Sequence, residues 1–264
     1  MNPIALASGV LPEFGPVDII ESAHAAGFDM AGLWVDPAEW DAARHRDTKR
    51  ALADTGLPVI DVEVVWFQPG ASVDDHLRIL DIGMELGAAN ALCVSSVDEP
   101  AQTADWLARL CRHVEGSPLR VNLEFGVFTK VPDLGAARAI VEHVNHPAAA
   151  ILVDPIHVDR SGTDPADIAA LDRKFLSYAQ FCDARAERPD PADFDAVIVD
   201  AVDLREHEGE GALDLDAIWR ALPADIPLSI ELRSKALRDA FPDDPTGRAK
   251  AVLGATRKWL EARA

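Results

Sequence analysis

Cysteine is scarce in this 264-residue chain: Cys93, Cys111 and Cys182 are the only three, and they form no CxxC pair. An odd, scattered set argues against a disulfide framework and for a reducing cytoplasm, where the protein is expected. Long apolar runs are also missing. No stretch approaches the roughly 20 residues needed to cross a bilayer, and the opening MNPIALASGVLPEFG has neither a basic n-region nor an export-length apolar core. Basic residues are the third shortage. Twenty-five Lys and Arg against 45 Asp and Glu leave a formal charge of −20, which repels phosphate backbones and anionic lipid, and no basic patch along the sequence offsets it. Nucleic acid and membrane are therefore not expected partners, and the acidity reads as a solubilising surface. No GxGxxG turn follows the first apolar run, so the usual mark of an open dinucleotide-binding sheet is absent.

What is present is regular. Hydrophobic residues make up 48% of the chain, enough for a large core. Eight short apolar runs recur, at Ile4–Ala7, Met30–Val35, Val59–Trp66, Ala91–Val94, Val121–Phe125, Ala149–Val153, Phe175–Ala179 and Leu228–Leu232. Most lie at intervals of roughly thirty residues, the length of a strand–helix unit. Rich in Val, Ile and Leu and flanked by Pro, Gly or Asp, they suit parallel strands buried on both faces. Helical periodicity fills the gaps at Asp74–Leu86, Pro100–Val114, Asp133–Val144 and Pro165–Lys174. Ser72 and Asp164 are expected N-caps, and Gly27, Gly56 and Gly87 expected helix ends. Only Arg185–Leu215 stretches the interval, as an elaborated loop ahead of a helix around Ile218. Eight units in a chain close to the roughly 250 residues typical of the fold predict a single (β/α)₈ TIM barrel domain over residues 1–264.

In such a barrel the chemistry sits at the C-terminal ends of the strands. Four polar residues follow the later runs: Glu124 in VNLEF, Asp154 in AAAILVD, Gln180 in FLSYAQ and Glu231 in IPLSIEL. Alternation along a strand puts Glu124 on the face of Asn122 and Glu231 on that of Ser229, both towards the barrel axis. Three converging carboxylates would repel one another and lose hydration unless a cation joined them. The set Glu124, Asp154, Gln180 and Glu231 offers oxygens only, which suits Mn²⁺ or Mg²⁺, with Co²⁺ compatible and Zn²⁺ less expected. Around it, His157 is expected to orient a substrate oxygen or shuttle a proton. Arg160 and Arg233 are candidates to neutralise a substrate carboxylate or phosphate, or to pair with the site carboxylates. Asp183 faces the mouth or caps its loop. Glu63, Trp34 and Trp66 wall the pocket or pack in the core. Cys182 reads as packing, and His143 and His146 lie on the opposite rim.

The segments NLEF, LVDPIHVDRSG, YAQFCDA, EHEGEGALDL, SIELRS and FPDDPTGRA resemble, over essentially the whole chain, the xylose isomerase-like TIM barrel superfamily of sugar phosphate isomerases and epimerases, related to inosose dehydratases and tagatose epimerases. The resemblance implies one divalent ion on a Glu, an Asp, a His and a Glu, with a further His three residues after the Asp. Glu124, Asp154, Glu231 and His157 match; Gln180 stands where the third ligand is usually His. Bacterial 3-dehydroshikimate dehydratases of the superfamily can carry Gln there. The histidine-rich zinc site of the related endonuclease IV is missing. The implied activity is an isomerase or epimerase on a small sugar, sugar phosphate or polyol-ketone, with Glu124 and Glu231 as the proton-transfer pair. A dehydratase of the 3-dehydroshikimate or inosose type is the alternative, and a carbohydrate-binding barrel without turnover the non-enzymatic one. Prevalence puts the isomerase first, and Gln180 pulls towards the dehydratase. The expected partner is a small polyhydroxylated molecule. Dimers are common among similar barrels, although no exposed apolar stripe marks an interface.

Overall fold

Eight of the strands pair in parallel, and each is short, as its apolar run requires. They are β1 (Ile4–Leu6), β2 (Met30–Trp34), β3 (Val59–Phe67), β4 (Asn90–Ser95), β5 (Arg120–Glu124), β6 (Ala149–Leu152), β7 (Ala179–Phe181) and β10 (Leu228–Ile230); the two-residue strands β8 (Asp183–Ala184) and β9 (Arg205–Glu206) form a separate antiparallel ribbon. These come from a computed structural model that describes residues 2–263. The order of neighbours is β6-β5-β4-β3-β2-β1-β10-β7. Its two ends meet where Gln180 N donates to Val153 O at 3.0 Å and Val153 bridges Ala179 in parallel. The sheet thus closes into a single (β/α)₈ barrel, leaving no unpaired edge.

Helices α1 (Pro16–Ala26), α2 (Ala42–Thr55), α3 (Leu77–Leu86), α4 (Pro100–His113), α5 (Leu134–Val144), α6 (Pro155–Ser161), α7 (Pro165–Ala169), α8 (Phe194–Asp203), α9 (Leu215–Ala221), α10 (Lys235–Ala240) and α11 (Pro245–Glu261) fill the connections. Their ends follow local chemistry. Asp41, Asp133, Asp164, Asp193 and Asp214 each accept a backbone N–H of the first turn they cap. Gly27, Gly56 and Gly87 end α1, α2 and α3 in the left-handed region, at φ 91°, 70° and 74°.

Two expectations are corrected. The helix read over Pro165–Lys174 stops at Ala169, because Asp172 accepts Lys174 N at 3.1 Å and turns Arg173–Phe175 into a 3-10 turn. The seventh strand, read over Phe175–Ala179, is therefore displaced to Ala179–Phe181, which puts Gln180 inside the strand. The elaborated loop contains a helix of its own, α8, between the two strands of the ribbon.

Two apolar clusters sandwich the barrel wall. Residues such as Leu6, Leu33, Val62, Cys93, Leu123, Ile151 and Ile230 face the helices. Ala5, Ile60, Leu92, Val94, Leu152 and Tyr178 fill the inside. Burial on both faces is why the strand runs are continuous rather than alternating. Above the inner cluster, at the C-terminal ends of the strands, side chains become charged. No helix of the described residues is long and apolar enough to cross a membrane.

Candidate active site and metal centre

Strand geometry aims three acids at one point. Glu124 closes β5, Asp154 caps α6 directly after β6 and accepts Ile156 N at 3.1 Å, and Glu231 follows β10. All are buried. The first turn of α6 then swings His157 back over the site, with Nε2 4.0 Å from both Glu124 Oε1 and Asp154 Oδ2. Donor atoms of Glu124, Asp154 and His157 all lie within 4.8 Å of one another. These contacts are too long for hydrogen bonds and suited to a shared ion. Gln180 turns its amide oxygen towards the same point, 2.7 Å from Glu124 Oε1 and 3.3 Å from Asp154 Oδ2; rotating the amide would replace that oxygen by the NH₂. Without a cation the rotated amide is the stable form. With one, the oxygen-inward form completes the donor set.

Sequence reading missed Arg205, the side chain that organises this floor. Fully buried, it donates from Nη1 to Asp154 Oδ2 at 2.6 Å, lies with Nη2 2.8 Å from Glu231 Oε2, and spends Nε on Ala201 O at 2.6 Å. Glu231 is thereby drawn to the guanidinium and stands outside the Glu124–Asp154–His157 group. Cys182, read as packing, touches the floor, 3.3 Å from Arg205 Nη1 and 3.6 Å from Asp154 Oδ1. Burial and then Asp154 push its thiol up, so it stays neutral.

The electrostatics follow from burial and from Arg205. Burial raises Glu124 well above the carboxylate range, and Glu231 and Asp154 push in the same direction. Burial also raises Glu231, to about 7, against the opposing pull of Arg205. At Asp154 burial is outweighed by Arg205 and His157, which hold the carboxyl low. Burial takes His157 down to about 4, so its imidazole is neutral at neutral pH. With all three carboxylates ionised against one guanidinium, the floor carries two surplus negative charges, the number one divalent ion neutralises. The donor set fits such a group: two carboxylate oxygens, an amide oxygen and an imidazole nitrogen.

The other expected residues divide. Glu63 and Trp34 line the cavity above the floor with Glu124, His157, Arg205, Glu231 and Arg233; its volume is about 350 Å³. Glu63 accepts a hydrogen bond from Ser8 Oγ, and burial raises its pKa against the pull of Ser8 and Arg233. Arg233 has a buried Nε without a partner and no carboxylate within the 4.0 Å of an ion pair among the described residues. Its stem lies against Gly9, where a Cβ would stand 3.0 Å from Arg233 Cγ and Cδ and 3.1 Å from Glu231 Oε1. Only a residue without a side chain leaves both in place. Arg160 and Asp183 do not line the cavity. Arg160 is held by Asp200 at 2.8 Å and Asp159 at 2.6 Å. Asp183 is spent on the amides of Ala184, Gly209, Gly211 and Leu213 at 2.8–3.1 Å, shaping the Gly-rich loop.

Opposite the charged floor the cavity is apolar: Trp34, Val64, Trp66, Leu92, Val94, Phe128, Phe194, Ile198 and Val202. Phe128 stacks obliquely on His157 at 5.0 Å and meets Trp66 edge-on at 6.2 Å. Trp34 and Phe194 remain half exposed at the mouth.

This architecture has counterparts. A 3-dehydroshikimate dehydratase of Pseudomonas aeruginosa is 28% identical over 272 residues, covering 94% of this chain and 39% of that protein. The chain spans about two fifths of the length of the curated relatives it matches. A xylose isomerase-like TIM barrel/4-hydroxyphenylpyruvate dioxygenase fusion protein superposes with TM-score 0.81 at 21% identity, covering 96% of this chain and 42% of that one. An IOLI protein solved with a bound zinc atom gives TM-score 0.81 at 16% identity, with 98% of both chains covered. At these identities the two structures speak for the fold alone. Residues 20–262 match the family described as xylose isomerase-like TIM barrel, and with that match, the closed eight-stranded barrel and the strand-end acids, the chain belongs to this family.

Proposed function

We propose that the chain is a divalent-metal-dependent dehydratase that removes water from a small cyclic hydroxy-ketone acid of the 3-dehydroshikimate type. The observation that carries this reading is the two-sided cavity. A polyol sugar presents hydroxyls on both faces and leaves them unpartnered against an apolar wall, at about 1–3 kcal/mol for each buried group. A six-membered ring that loses one hydroxyl and flattens as its double bond forms fits between a charged floor and Trp66, Phe128 and Leu92. Gln180 at the third ligand position and the dehydratase relative matched along 94% of the chain support the same choice. The order suggested by prevalence, with isomerase or epimerase first, is reversed here.

Glu124, Asp154, Gln180 and His157 would hold the ion, Mn²⁺ or Mg²⁺ by the oxygen donors, with the imidazole nitrogen making Co²⁺ and Zn²⁺ compatible. Such an ion polarises a carbonyl and makes the adjacent C–H more acidic. Arg233, with no carboxylate in ion-pair contact among the described residues, takes the substrate carboxylate. Glu231, through the carboxylate oxygen that Arg205 does not hold, accepts the proton from the carbon beside the carbonyl. The electron pair left behind forms the ring double bond as the C–O bond one carbon further breaks. Glu231 passes that proton to the departing hydroxyl, which leaves as water, and is ionised again for the next turnover. Arg205 positions Asp154 and Glu231 and holds no substrate.

The test incubates metal-loaded protein with 3-dehydroshikimate and with a panel of ketoses and inososes. Formation of protocatechuate is the expected result. Deuterium uptake from solvent into an unchanged ketose, with no protocatechuate, would establish the epimerase instead.

A further inference from the structure

Arginines that leave solvent in this chain take a carboxylate with them. Arg44, Arg160, Arg205, Arg238, Arg248 and Arg263, buried or half-buried, each lie within 4.0 Å of an Asp or Glu oxygen. Among the described residues of that burial, two arginines break the pattern, and each lines a cavity: Arg233 at the C-terminal mouth and Arg120 at the first residue of β5, on the opposite end of the barrel. Arg233 is accounted for by the substrate carboxylate proposed above. Arg120 is accounted for by nothing at that site.

We propose that Arg120, Lys174 and His146 form a second anion site at the N-terminal end of the barrel, taking a small oxyanion, either phosphate or a polycarboxylate. The three line a cavity of about 550 Å³ with Asn145, Pro147 and Phe175. Arg120 spends Nη2 on two backbone carbonyls, Ala149 O at 2.9 Å and Lys174 O at 2.5 Å, and its Nε is buried with no acceptor. Carbonyl dipoles fix the guanidinium without neutralising it. Burial works against its charge and Arg173 adds like-charge repulsion, and an arriving anion would oppose both. His146 Nδ1 accepts Ala148 N at 3.1 Å, which leaves Nε2 to carry the ring proton as a donor. Lys174 keeps Asp172 3.3 Å from its Nζ, yet the ammonium is mostly exposed and has two further donors. A fork, an ammonium and an imidazole N–H around one cavity make an oxyanion seat. The three bases come from the start of β5, the turn before β6 and the turn before β7 and meet only in the fold, so they show no basic patch along the sequence.

The test titrates the full chain with inorganic phosphate and, separately, citrate, by calorimetry and by chemical-shift mapping. Saturable binding of at least one probe with Kd on the order of 1 mM is expected. It should persist in Arg233→Gln and weaken at least about 10-fold in Lys174→Ala and in Arg120→Gln. Lys174 is exposed, so its variant reads the site even where loss of the Arg120 carbonyl contacts unsettles the fold. Which probe binds tells phosphate from polycarboxylate. Binding of neither probe by about 20 mM, a Kd unchanged in Lys174→Ala, or loss of binding in Arg233→Gln would each overturn the proposal.

Discussion

The two halves of the barrel end differently. Strands β2 to β4 finish in Trp34, Val64, Trp66 and Val94, and apart from Glu63 they offer the cavity an apolar surface. From β5 onward the strand ends carry Glu124, Asp154, Gln180 and Glu231, with Arg205 tying Asp154 to Glu231. On the proposed function, the first half contributes to the apolar wall against the substrate, together with Phe128, Phe194, Ile198 and Val202, and the second half supplies the acids of the floor. Both halves use the same alternating strand geometry, so the difference lies in residue choice and not in fold. A barrel can therefore change its substrate through one set of strands while keeping its metal floor on the other.

Removing the tie should do most damage. Arg205→Met strands Asp154 and Glu231 as buried acids without their cation, and should cost about 3–5 kcal/mol of stability, read as denaturant midpoint with unchanged slope. A loss under about 1 kcal/mol would mean that the chemical half is not held by Arg205. Glu124→Gln should lower turnover by about 10²–10³-fold with the fold intact. An equal effect from Trp34→Ala would erase the distinction between the halves. A control lies outside the floor: Glu208, also in the second half, accepts Thr256 Oγ1 at 3.0 Å while its Oε2 has no partner. Burial raises its pKa from 4.5 to about 7. The folded state therefore holds this proton more tightly, and the associated stability is present in full below pH 4.5 and is lost as pH rises through about 7. Glu208→Gln should abolish that part of the decline, up to about 3 kcal/mol between these limits. The change should not depend on chelator, and dependence on it would tie Glu208 to the ion. Smallest is the wall itself: Trp34→Ala should raise KM about 10-fold and leave kcat nearly unchanged, as loss of uniform binding does.

Much of this division was legible in the residues. Seven of the eight apolar runs located their strands because burial on both faces leaves continuous Val, Ile and Leu, and Glu124, Asp154, Gln180 and Glu231 stood out as polar residues just past the runs. The seventh strand slipped because hydrophobicity alone does not fix where a run turns; Asp172 does that by capping the turn at Arg173–Phe175. Arg205 was missed for a physical reason. It lies in a loop 51 residues from Asp154, and an arginine in an acidic loop looks like a surface residue until the chain folds it inward. Arg160 and Asp183 are the converse. Their position near the site motif was visible, while the partners that occupy them, Asp200 for one and the amides of the 209–213 loop for the other, exist only in three dimensions.

The central claim is that the chemical half holds two uncompensated negative charges that one divalent ion fills. Metal stoichiometry of the purified chain, measured together with its melting temperature before and after chelator, tests this directly. The account predicts one divalent ion per chain, a melting temperature lowered by chelator and restored by Mn²⁺, by about 2.7 kcal/mol of stabilisation at an ion concentration 100 times Kd, and loss of both effects in Glu124→Gln. A chain that binds no ion and melts identically with and without chelator would contradict it.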